Sequence, residues 1–225
     1  MEKDRLLYLV TGCQTKVDLL NRVVMGKGWR AKAVLPVGID ERDWERSPLG
    51  KLLLEYGHHS SLLQSIAVAK MGGEPRNGQP TIATDADKRV EGSLLHKPVD
   101  LKAAAAMIMD QSERECTQIA ATVFWNGDFH FGVARVGMPL REIGKEEARG
   151  YVNRHSDVLN VAGAIPIADP EGIGFYRQGP YNVIIEHYYN SGSRETVFEG
   201  TIGSNDEDLV PTVYGFSPAL LGRLL

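Results

Sequence analysis

The sequence predicts an α/β protein whose mixed β-sheet is flanked by helices, and three observations predict it. Leu6 to Thr11 is a short continuous apolar run that breaks at Gly12, after which Val17, Leu20 and Val24 recur at helical spacing. Two strand-like runs, Gln118 to Trp125 and Phe129 to Val136, are separated by Asn126-Gly127, a strong short-range signal for an antiparallel hairpin. Helical and strand-like segments keep alternating along the rest of the chain, a pattern that gives sheets of mixed direction.

Taken in order, the first helix closes at Gly26-Lys27-Gly28, because glycine adopts the left-handed conformation that ends helices. Trp29 to Val37 alternates as a second strand and runs into the acidic turn Gly38-Ile39-Asp40-Glu41. Leu62, Leu63, Ile66 and Ala67 predict a helix from Leu62 to Lys70, and Gly72 to Pro80 reads as a loop. Thr81 to Thr84 is a short strand ending at Asp85. Asp100 caps a helix over Leu101 to Met109, where alanine supplies helix propensity. A charged helix spans Lys145 to Asn153, strands span Tyr181 to Tyr189 and Glu195 to Ile202, and Ser217-Pro218 opens a terminal helix. No repeat or linker interrupts the 225 residues, so one domain over 1–225 is expected.

With 43% hydrophobic and 24% charged residues the composition is that of a globular domain. A net charge of −4 excludes the general basic character that gathers duplex nucleic acid. The apolar run at Leu6 is too short for a signal peptide, and no stretch approaches the roughly eighteen apolar residues of a membrane span. A cytoplasmic protein with no membrane partner is the expectation. Two cysteines, Cys13 and Cys116, are too few for a disulfide framework or a zinc cluster.

The segment Thr11-Gly12-Cys13-Gln14-Thr15-Lys16 occupies a strand-to-helix junction. A helix N-terminus carries unpaired N–H groups and partial positive charge, which bind phosphate oxygens; Thr11 and Thr15 add hydroxyls and Lys16 an ammonium. An ordinary capped helix is the competing reading. A Walker loop is absent. Cys13 sits at the helix start as a candidate nucleophile, yet no histidine is tied to it as a base. Asp85 is a candidate base or metal ligand, and Asp40 and Glu41 add oxygen donors; magnesium asks for one or two carboxylates plus phosphates. Solvated turn acids would look the same. Lys70 and Lys97 interrupt apolar patterns, either as site cations or as snorkelling side chains. His58-His59 point apart as neighbours do, and His187-Tyr188-Tyr189 reads as an aromatic strand.

The order and spacing of these residues resemble the Maf family of nucleoside triphosphate pyrophosphatases. Its I-G-A-D-T, L-G-K-P and D-x-x-x-A motifs are met by Ile82-Ala83-Thr84-Asp85-Ala86, Leu95-His96-Lys97-Pro98 and Asp100 with its alanine-rich helix. Upstream, the phosphate loop S-x-S-P-R-R falls on Thr11 to Lys16, I-D-E on Ile39-Asp40-Glu41, and the lysine of L-A-x-x-K-A on Lys70. Downstream, Ser112 to Cys116, Ala162-Gly163-Ala164 and Tyr214-Gly215-Phe216 resemble the remaining motifs, while 172–205 is expanded. The departures are the loop proline and arginines, replaced by Gln14, Thr15 and Lys16, together with Ala86, His96 and Asn160-Val161.

The resemblance implies a Maf and inosine-triphosphatase-like fold with two lobes around a cleft. It also implies hydrolysis of a nucleoside triphosphate to monophosphate and pyrophosphate. Asp85, Lys97 and Lys70 would be catalytic, Asp85 handling water, while Asp40, Glu41 and Asp85 hold Mg2+ or Mn2+. Thr11, Gly12, Cys13, Thr15 and Lys16 would bind phosphate. A homodimer is compatible with this reading. The alternative is a catalytically impaired Maf-like protein that binds nucleotides or another protein.

Overall fold

The computed structural model describes residues 5–36, 38, 43–44, 47–48, 51–52, 59–72, 78–189 and 193–225. Strand β1 (Arg5–Val10) leads into helix α1 (Gln14–Val24), whose Val17, Leu20 and Val24 are buried as their spacing requires. A turn closes at Gly28, which has φ 74° and donates its N–H to Met25 O at 3.1 Å. Strand β2 (Trp29–Val34) then returns parallel to β1, with Arg5 beside Trp29 and Val10 beside Val34. It stops short of the expected Val37. Thr11 N donates to Val34 O at 2.9 Å, and two residues later Pro36 has no N–H to offer a ladder.

Helix α2 (His59–Met71) precedes β3 (Thr81–Val90). Here the structure corrects the sequence reading: the strand does not end at Thr84, and Asp85 lies in its middle. The polar residues from Asp85 to Arg89 break the apolar pattern, yet every residue of β3 is matched to a partner on β5, from Thr81 opposite Trp125 to Val90 opposite Cys116. Glu91 and Gly92, at φ 48° and 85°, turn β3 tightly into β4 (Ser93–Leu95).

Helix α3 (Leu101–Asp110) is capped as expected, Asp100 Oδ1 accepting from Ala103 N at 2.7 Å. Strands β5 (Cys116–Trp125) and β6 (Phe129–Gly137) form the hairpin around Asn126-Gly127-Asp128. Helices α4 (Lys145–Arg154) and α5 (Pro170–Ile173), strands β7 (Tyr181–Tyr188) and β8 (Arg194–Ile202), and helices α6 (Leu209–Val213) and α7 (Pro218–Leu224) complete the chain.

The eight strands make one sheet ordered β2-β1-β3-β5-β6-β7-β8, with β4 on β3. Among the described residues only the pairs β1–β2 and β1–β3 are parallel. One face carries the main core, in which Leu9 and Ile82 join α1, α3, α4, α6 and α7. On the other face α2 packs Ala67 and Met71 against Val10, Ala83 and Val123, and Leu63 against Ile119 and Val133. No helix among the described residues is long and apolar enough to cross a membrane.

The segment before α7 reaches the sheet through Gly215. Thr122 Oγ1 donates to Gly215 O at 2.5 Å; a Cβ at Gly215, which has φ 85°, would lie 2.6 Å from that hydroxyl oxygen. Gly215→Ala therefore combines left-handed strain with a clash. It is expected to lower stability by about 1–3 kcal/mol in urea unfolding. An unchanged midpoint would show that this contact does not hold the C-terminal segment.

Candidate functional site

From β1 the chain passes through α1 to β2 on one side, and β3 then pairs with β1 on the other. In open α/β sheets, ligands bind beyond the carboxyl ends of strands where the order reverses in this way. The strands' unequal lengths open the space. The last β1–β3 pair is Val10 with Ala83, and β4 begins to cover β3 only at Lys88, opposite Leu95. Between them Thr84 to Asp87 has an uncovered edge, and there lies a cavity of about 530 Å³. That is the size of a small-molecule site.

Lys16, Lys70, Asp85 and Lys97 line this cavity together, although they lie far apart in the chain. Side chains alternate along β3, so Asp85 projects to the α2 face with Ala83. Lys70 follows the buried Ala67 by three residues in α2 and so turns toward the same face. Its Nζ donates to Asp85 Oδ1 at 2.6 Å, with both side chains only 12% exposed. Lys70 is therefore an ion-paired residue of the cavity wall rather than a snorkelling one. Lys16, in the first turn of α1, donates from Nζ to Thr84 Oγ1 at 3.4 Å. Lys97 is exposed just beyond β4, anchored in sequence by the buried Pro98.

The Thr11–Lys16 turn is placed less directly. Thr11 is buried and its Oγ1 accepts from Cys13 N at 3.0 Å, which bends the chain into α1. Helix α1 begins at an extended Cys13, with no side-chain cap bond and no acid in its own first turn to offset its dipole. Gly12, Cys13 and Thr15 are exposed. Of this turn only Lys16 is among the described residues that line the cavity. Asp40, Glu41 and His58 lie outside the described residues. His187 is buried on the sheet, its ring stacked with His130 at 6.0 Å and tilted against Tyr189 at 4.5 Å, away from the cavity lining.

Gln118 and Tyr214, to which the sequence assigned no site role, also line the cavity. Gln118 is a polar break in an apolar strand that sits in a sheet interior, a signal legible in its pattern. Tyr214 had no such signal; burial pushes its hydroxyl up to about 12. Among the described residues no three His, Cys, Asp or Glu side chains converge on one point. Magnesium or manganese can be held with fewer, since phosphate oxygens complete its shell, and the Asp85 carboxylate on a cavity open to a ligand is a hard donor that fits either ion.

Breaking one partner of a pair this enclosed leaves a charge with little water. Lys70→Met is expected to cost about 3 kcal/mol, and adding Asp85→Asn should recover much of it. A double-mutant cycle by urea unfolding with no coupling would mean that the pair is not formed in solution. No family model matches the chain, and no curated protein sequence matches it.

Proposed function

We propose that the protein is a Maf-like nucleoside triphosphate pyrophosphatase, which cleaves the α–β phosphate bond and releases nucleoside monophosphate and pyrophosphate. One observation carries this reading: Lys16, Lys70 and Lys97, from three separate segments, meet Asp85 in one cavity at the reversal point of the sheet. These are the positions at which the family's motifs place its charged residues. The same reading entails a two-lobed, inosine-triphosphatase-like arrangement around the cleft, a cytoplasmic setting and a homodimer as the assembly to look for.

In this mechanism the three lysines offset charge on the triphosphate, and the uncapped start of α1 turns its N–H groups toward phosphate oxygens. Lys70 fixes the orientation of the Asp85 carboxylate, which accepts a proton from the attacking water. Leu95, Ile165 and Ile167 supply apolar wall against which a base can rest. Magnesium or manganese, held by Asp85 and the ligand's own oxygens, would supply charge neutralisation at the phosphates.

A second reading is favoured by the exposure of Thr15, which stands where the family has an arginine. Without that planar fork the cavity binds nucleotide but turns it over poorly. A screen for pyrophosphate release across nucleoside triphosphates, with magnesium and with manganese, separates the two. Turnover supports the enzyme; nucleotide binding without product supports the second reading.

Asp85→Asn is expected to abolish release, and a variant retaining even about a tenth of the rate would remove Asp85 from the chemistry. Because Asp85 pairs with Lys70, its effect on stability must be measured alongside. Lys16→Ala and Lys97→Ala are each expected to weaken nucleotide binding about five- to tenfold at low salt and less at high salt. Equal affinities by calorimetry would exclude these lysines from the phosphate site.

A further inference from the structure

Lys88 is fully buried at 0% exposure, and its Nζ has no hydrogen-bond partner among the described residues. It lies 5.1 Å from the centroid of the Tyr176 ring. In antiparallel ladders opposite residues share a face, so Lys88 shares one with Leu95 on β4 and Gln118 on β5, and with Ala86 two places back on its own strand. All three of those neighbours line the cavity. Lys88 therefore stands directly behind the cavity wall. Gly163, at φ 74°, closes over it so tightly that a Cβ there would come 2.7 Å from Lys88 Cδ and 3.1 Å from Gln111 Oε1.

The groups facing Lys88 are the Cys116 thiol and Gln118 amide of β5, the Tyr176 hydroxyl, the Gln111 amide after α3, Leu95 and the Gly163 turn. None of these is a carboxylate. The carboxylate beside it on β3, Asp87, alternates to the opposite face together with Arg89. Gln111 Oε1 is also buried without a hydrogen-bond partner among the described residues. Desolvation pushes the ammonium down to about 8, and it pushes the Cys116 thiol up to about 11, so the thiol supplies no counter-charge near neutral pH. An ammonium enclosed without an anion is costly, and the cavity on the other side of Leu95 and Gln118 is a space able to admit one.

We propose that Lys88 is a buried fourth cation of the cavity: an anionic group bound against Leu95 and Gln118 supplies the counter-charge that the fold withholds, so binding takes up a proton and favours anionic over neutral ligands. From the proposed function this takes only that the ligand is an anion. Lys88 acts through the wall and is a positioning and specificity residue, without contact to the reacting atoms.

The test is calorimetric titration of the full chain with inorganic tripolyphosphate, free of metal, at pH 8 in two buffers of different ionisation heat. Wild type is expected to take up about half a proton per anion bound. In Lys88→Met that uptake disappears and affinity at pH 7 falls about tenfold, while adenosine, a neutral probe, loses no affinity. A side chain of merely structural importance would move none of these.

Stability supplies a second readout with a definite sign. Unfolded, the lysine keeps its proton up to about 10.5; folded, it releases it near 8. Between those values the unfolded state binds more protons, so wild-type stability rises with pH relative to Lys88→Met. Should Lys88→Met not fold, 13C labelling of lysine Cε in the wild type follows the same titration directly. Its midpoint is expected near 8 and to move upward with tripolyphosphate.

Equal affinity and equal proton uptake in the two proteins, or a midpoint that tripolyphosphate leaves in place, overturns the proposal. Pyrophosphate release from nucleotides without proton-linked binding would remove this role and leave the proposed function standing. Proton-linked tripolyphosphate binding without nucleotide turnover would do the reverse. No binding of tripolyphosphate at millimolar concentration removes both.

Discussion

The ladder that joins all ten residues of β3 to β5 is the constraint on which the rest of the structure depends. It holds a polar run, Asp85 to Arg89, inside a sheet, where local preference would not have kept it extended. Because β3 is held along its whole length by β5, it does not need continuous cover on its other edge. Strand β1 stops at Val10, beside Ala83, and β4 reaches back only as far as Leu95, opposite Lys88; the stretch of β3 between them borders the cavity. A sheet whose parallel half is shorter than its antiparallel half opens a gap at its edge, and the segments at His96-Lys97, Asn160 to Ile167 and Tyr214 wall it into a cavity.

Alternation then sorts the polar residues of that strand between two environments. Asp85 projects toward α2 and meets Lys70, whereas Lys88 projects into the main core behind the cavity wall. The first charge is balanced by a side chain. Around the second, the described residues place an aromatic face, neutral amides and a thiol. The difference is one of address on a single strand, and it decides which charge is part of the stable fold and which waits on an anion.

Helix α2 must be fixed at both ends for Lys70 to hold its position. At its C-terminal end the Lys70–Asp85 pair ties it to β3. At its start, Arg135 Nη2 donates to Ser60 Oγ at 2.7 Å, and the same guanidinium pairs with the buried Glu186. Arg194 at 3.0 Å and the Tyr188 hydroxyl, also at 3.0 Å, complete that network on Glu186. Burial pushes the Glu186 carboxyl up, but the hydrogen bond and charge of Arg135 outweigh it, and the group stays below the ordinary carboxylate range. Strands β6 and β7, on the far side of β5 from the cavity, thus set where a cavity lysine stands.

By itself the sequence determined what acts over a few residues. The apolar spacing of α1, the Asp100 cap on α3, the glycine closing at Gly28 and the Asn126-Gly127 turn are local terms, and each element they specify is where its residues put it. The order and spacing of Lys16, Lys70, Asp85 and Lys97 were legible too. Their meeting in one cavity was not, because it depends on two crossovers placing β3 against β1. The extension of β3 through the four polar residues Asp85, Asp87, Lys88 and Arg89, the ion pair that turns Lys70 inward and the enclosure of Lys88 were decided only by tertiary structure. Partner strands and packed layers supply hydrogen bonds and remove water at positions distant in the chain, and no local pattern encodes that.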